Sequence, residues 1–176
     1  MALYSLNELK TALNGGARAD KFTIQFGVPA GDGSLTLGTE GPILCKATSF
    51  PAKTIATIEV WEQGRKLKLP GDTTFDEEWT IQFYQTADHK LRKMFIDWMS
   101  KIDNFHTNNH TCTPADFMVE AKVQQLGCDG NVTAEYTFYN MFPSTVTAVE
   151  VDGENINTVE IFSVNFNYSD WEITSK

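Results

Sequence analysis

The 176-residue sequence predicts a mainly β protein. The expected fold is a small β-barrel or sandwich of about eight strands, flanked by one α-helix, with a short N-terminal helix and a single domain over 1–176. Three observations predict it. Short runs of alternating apolar and polar residues recur along the chain, separated by Gly, Asp and Asn turn signals. One stretch, Ala87 to Ile102, carries the spacing of a long amphipathic helix. Aromatics form 12% of a chain that is 41% hydrophobic, enough for a packed core and suited to pleated surfaces and interfaces.

The elements follow in order. Ser5 to Leu13 reads as a short helix: Ser5 and Glu8 make a capping-box pattern, and Leu6, Leu9 and Leu13 give one apolar stripe. Gly15 and Gly16 stop it, so 1–16 forms an N-terminal arm that must dock to persist. Lys21 to Val28 alternates Phe22, Ile24, Phe26 and Val28 on one face, a half-buried strand. A Gly-rich connection, Gly27 to Pro42, has a turn signal at Asp32-Gly33 but lacks the Gly-Lys-Ser/Thr of a phosphate loop. Ile43 to Ser49 is a second strand. Thr54 to Glu62 and Arg65 to Leu69 form a hairpin around Gln63-Gly64 that is partly apolar on both faces and calls for cover on both. Pro70-Gly71-Asp72 reads as the turn that ends it.

Glu77 to Gln85 is the next strand, with Trp79, Ile81 and Phe83 on one side. Thr86 is the expected cap of the long helix, and Asp88 lies in its expected first turn. Leu91, Met94, Phe95, Trp98, Met99 and Ile102 fall on one face, which must lie on the sheet. A polar loop follows, from Asp103 to Pro114. Four further strands are expected at about Asp116 to Gln125, Asn131 to Tyr139, Thr145 to Val151 and Thr158 to Tyr168.

Charge and motifs exclude more than they assign. With 23 acidic and 14 basic side chains the net charge is −9, which supplies no cation surplus for gripping nucleic acid. No apolar run is long enough to span a bilayer, and the N-terminus lacks the pattern of a signal peptide. Three cysteines, Cys45, Cys112 and Cys128, cannot all pair within one chain and fit a reducing, cytoplasmic setting. His106, His110, Cys112 and Cys128 cluster in sequence, but the paired-cysteine knuckle of a zinc site is missing. Asp72, Asp76, Glu77 and Glu78 bring carboxylates together without the raised pKa or cleft that glycoside hydrolysis needs. No nucleophile elbow occurs. No catalytic residue, metal or cofactor is expected.

The segment KATSFPAKTIATIEVWEQGRKLKLPGDTTFDEEWTIQFY, followed by HKLRKMFIDWMSKI, resembles the tail tube proteins of contractile-tailed bacteriophages. The resemblance rests on Lys46-Ala47-Thr48 before Phe50-Pro51, Arg65-Lys66, Gly71-Asp72, Thr74-Phe75, Trp79-Thr80 and Phe95-Ile96-Asp97-Trp98, about a third of the chain. YNMFPSTVTAVEVD, Tyr139 to Asp152, is similar to the family's later strands. The resemblance implies a small β-barrel flanked by a helix, six copies joined edge to edge in a ring, and rings stacked as a hollow conduit within a contractile sheath. The implied partners are further copies, the tail sheath, baseplate and terminator proteins, and phage DNA passing without specific binding. The implied place is the virion tail, after synthesis in the host cytoplasm. A baseplate-proximal initiator, a secretion-type tube subunit or a small-ligand-binding β-barrel are the alternative readings.

For such a tube the hairpin over 54–70 is expected to stack rings, with Ile58, Val60, Trp61, Arg65 and Lys66 as its contacts. Trp79, Leu91, Met94, Phe95 and Trp98 are expected to pack helix on barrel. Glu120, Glu135, Glu150 and Glu160 are candidates to face the lumen, where acidity would let DNA slide.

Overall fold

The computed structural model describes residues 5–13, 16–27, 40–75, 78–104, 107, 109–110, 113–149, 151–152, 154, 156 and 158–175. In chain order these form α1 (Leu6–Leu13), β1 (Phe22–Phe26), α2 (Glu40–Leu44), β2 (Cys45–Thr48), β3 (Lys53–Glu62), β4 (Arg65–Phe75), β5 (Glu78–Tyr84) and α3 (Lys90–Ile102). The short β6 (Asp103–Asn104), β7 (Asn109–His110) and α4 (Pro114–Phe117) precede β8 (Val119–Leu126), β9 (Val132–Val146), β10 (Ile161–Asn167) and β11 (Asp170–Ser175).

Two antiparallel layers share one strand. The first layer is β1-β8-β9-β11 and the second is β9-β10-β5-β2. The N-terminal part of β9 pairs with β8 and β11; its C-terminal part pairs with β10. The strand changes layers at Asn140, whose φ of 53° is left-handed. A strand that bends from one sheet into another makes the corner of an orthogonal sandwich. The layers do not close into a barrel, and β1, β2 and β11 each have an edge that is unpaired among the described residues.

Alternation fills the space between layers. Ile24, Val123 and Phe138 point in from the first sheet; Trp79, Ile81, Phe83, Phe162, Val164 and Phe166 point in from the second. The Trp79 and Phe138 rings stack across the gap at 4.3 Å between centroids. Where the first sheet stops, α3 covers the second: Phe95 meets Phe83 at 5.4 Å and Phe166 at 5.8 Å. Trp98 is buried and its indole N–H donates to the Phe117 carbonyl at 3.0 Å.

Several expected boundaries move. Asn131 to Tyr139 and Thr145 to Val151 are parts of one bent strand up to Val146, because Pro143 needs no donor where it stands opposite Phe166. Ile43 lies in α2 and only Cys45 to Thr48 is strand; Asp116 begins the next region in α4, not in a strand. Thr158 to Ile161 straightens into strand only at Ile161, and β11 adds a strand that the pattern did not reveal. The long helix starts at Lys90 rather than Ala87. Its N-cap is His89, at φ 52°, while the Thr86 hydroxyl donates to Asp88 instead of capping. Pro70-Gly71-Asp72 is not a turn, since β4 runs on to Phe75. The register shifts there at Ala56, and a Cβ on Gly71 would meet the Ala56 oxygen at 3.1 Å. The turn at Asp32-Gly33 lies outside the described residues.

Candidate functional site: a free-standing hairpin and open sheet edges

The surface that needs explaining is the β3-β4 hairpin. Among the described residues its ten- and eleven-residue strands pair only with each other. From Lys53 to Pro70 every residue is exposed. At ~3.4 Å per residue the arm is on the order of 30 Å long. Gln63 (φ 47°) and Gly64 (φ 77°) form its two-residue turn, the left-handed pair that matches strand twist. Its base is fixed: the Trp79 indole donates to the Ser49 carbonyl at 2.9 Å, and Phe50 stacks on Tyr136 at 4.5 Å.

Register sorts the hairpin's side chains. Ile58 opposes Leu69, Val60 opposes Leu67 and Glu62 opposes Arg65, giving an apolar face that ends in charge. Thr57, Glu59 and Trp61 oppose Pro70, Lys68 and Lys66 on the other face. There Lys66 pairs with Glu59 and lies over the Trp61 ring at 5.4 Å. Trp61 is therefore not beside Ile58 and Val60, as a single apolar anchor would require; the arm offers two different surfaces. Trp61 is 66% exposed and Ile58 53%. A two-stranded ribbon carrying that much apolar area is marginal in water, so it is built to be covered.

The expected packing residues lie together. Trp79, Leu91, Phe95 and Trp98 are buried, and Met94 is half-buried against the same core. The expected acidic residues are scattered. Glu120 and Glu135 share the outer face of the first sheet, with Asp170 and Glu172 of β11. Glu135 is held by Lys122 at 2.8 Å and by Gln124 at 2.6 Å. Glu160 precedes β10 in the second sheet, and Glu150 lies outside the described residues. The outer face of the second sheet is instead amide and hydroxyl: Thr80, Gln82, Ser163, Asn165 and Asn167, with Glu78 at one end.

Cys45 is half-buried and its thiol is pushed up to about 12 by desolvation, against a weaker opposing hydrogen bond with Ala47. Among the described residues no three His, Cys, Asp or Glu side chains converge on a metal position. His106 and Cys112 lie outside the described residues.

An open sandwich whose edges are unpaired among the described residues, with an uncovered arm, has the surfaces of an assembly subunit. The chain belongs to the phage tail tube protein family, whose model matches residues 17–174, and is a tail tube subunit. It is 31% identical over 137 residues to the tail tube protein gp19 of Enterobacteria phage T4, covering 77% of this chain and 83% of that one. It is 22% identical over 167 residues to the tail tube protein of Serratia phage KSP90, covering 93% and 94%. In fold it is similar to a chain of the PVC sheath-tube complex of an extracellular contractile injection system in the extended state. That match has TM-score 0.65 and 15% identity, covering 99% of this chain and 100% of that chain. A chain of the anti-feeding prophage baseplate also matches at TM-score 0.65 and 14% identity, covering 90% and 95%.

Proposed function

We propose that the chain is the shaft subunit of the tube: six copies close into a ring, and rings stack through the β3-β4 hairpin into a conduit for DNA inside the sheath. The observation that carries this is the hairpin, exposed on both faces yet firmly rooted. A heterologous contact repeated by rotation closes a ring, and one repeated by translation extends it. Tail sheath, baseplate and terminator proteins are the expected partners along the outside and at the two ends. The role is structural, without a catalytic step.

The second sheet is the better candidate for the lumen wall. The hairpin grows from it, so it runs in the direction of stacking, and α3 and the first sheet cover its inner face. Its outer face is then left to line the channel. Thr80, Gln82, Ser163, Asn165 and Asn167 offer DNA no cations, so phosphates pass without counterion release. Glu120 and Glu135 face outward in this arrangement, toward the sheath side.

Electron microscopy of the concentrated full-length protein should show hexameric rings or tubes; monomers alone at physiological salt would reject the proposal. Trp61→Ala should leave the fold intact and shorten the tubes, and unchanged tube length and yield would remove the hairpin from stacking.

A further inference from the structure

The hairpin leaves the second sheet after Thr48, at the end of β2, and re-enters it at Glu78, the start of β5. The opposite ends of the same two strands carry an open groove of about 410 Å³, lined by Ile43, Leu44, Thr86, Ala87 and Asp88. Arm and groove thus lie at opposite poles of one sheet. We infer that the groove is the socket for the hairpin tip of a second copy of this chain, so that each subunit carries both halves of the contact. This rests on the reading of the hairpin as the stacking element and adds the surface that receives it.

Three features match the halves. The groove is apolar where Ile43, 78% exposed, meets Leu44 and Ala87, and the tip brings the exposed Trp61. The groove rim carries the Asp88 carboxylate, whose pKa is lowered by the Thr86 hydroxyl and the Lys90 amide. The tip carries Arg65, opposite Glu62, and Lys66, paired with Glu59, so its cations reach Asp88 only by exchanging partners. The hairpin as a whole has four basic residues, Lys53, Arg65, Lys66 and Lys68, against three acidic ones, Glu59, Glu62 and Asp72, on a chain whose net charge is −9. Lys90 also stands near the groove, so the attraction is local to Asp88 and the apolar fit does the larger part. Because the two halves occupy opposite ends, the contact cannot be satisfied within one molecule and propagates from copy to copy.

A cross-link in the full-length protein tests this. Gln63→Cys at the turn combined with Ala87→Cys in the groove should give, on oxidation at assembling concentration, a ladder of disulfide-linked copies. With Cys45, Cys112 and Cys128 replaced by serine, either single variant should not, and mixing the two singles should give linked dimers only. Ala87→Trp, which fills the groove from an exposed position, should raise the concentration needed for tube growth about tenfold without lowering the melting temperature. No ladder, or normal growth of Ala87→Trp, in tubes that still depend on Trp61 overturns the socket alone. Tubes indifferent to Trp61→Ala, or a wild type that never assembles, overturn the stacking reading and the socket with it.

Discussion

Single residues decide whether this fold holds. Trp98 fills the seam between α3 and the second sheet, and its N–H satisfies Phe117. Trp98→Ala removes both, so unfolding in denaturant should show a loss on the order of 3–5 kcal/mol. Asn140 is held left-handed where β9 turns between layers. A β-branched side chain there should cost roughly 1–2 kcal/mol; Asn140→Gly, melted beside Asn140→Val, should cost far less. At the N-terminus the capping box closes as its residues predict: the Ser5 amide donates to Glu8 at 2.7 Å, and the Glu8 amide to the Ser5 hydroxyl at 3.3 Å. The Ser5 amide, with the Ser5 hydroxyl beside it, holds the Glu8 carboxyl below its ordinary value. A lowered folded pKa means that the support is complete above the unfolded value and is lost as pH falls through the folded one. Protection of the α1 amides should therefore fall on acidification through that window, and Glu8→Gln should abolish the dependence.

At the scale of elements, the hairpin separates local order from global stability. Gly64 is left-handed with open space around it, so Gly64→Val strains the turn without touching the core. Hydrogen exchange should quicken along β3 and β4 while the melting temperature of the body stays put; a lowered body transition would mean that the arm is part of the core. Local signals made these elements readable: Gln63-Gly64 for the turn, the Leu91-Phe95-Trp98 stripe for α3, Trp79-Ile81-Phe83 for β5. What stayed hidden depended on tertiary partners. Nothing in Tyr139 to Ser144 announces that the strand continues through Pro143, because the reason is a neighbour, β10, with no demand for that donor. Asp170 to Ser175 becomes strand through pairing with the first half of β9. The two faces of the hairpin were legible as alternation, yet the placement of Trp61 over Lys66 required the register across the turn.

For the whole molecule, the informative property is incompleteness. Edges and arm seek protein surface, and a net charge of −9 disfavours polyanions. Assembled protein should not retain duplex DNA in filter binding at physiological salt. Gln82→Lys with Asn165→Lys should make it do so if the second sheet lines the channel, whereas retention unchanged by these lysines would turn that face away from the lumen. The layer sharing by β9 has a mechanical side. One covalent thread runs through both sheets, so they cannot glide past one another as separate plates. A push along the proposed conduit would instead load rows of backbone hydrogen bonds together, the geometry in which many weak links yield late and all at once. The shaft proposed for this chain would be served by a subunit that stiffens in this way.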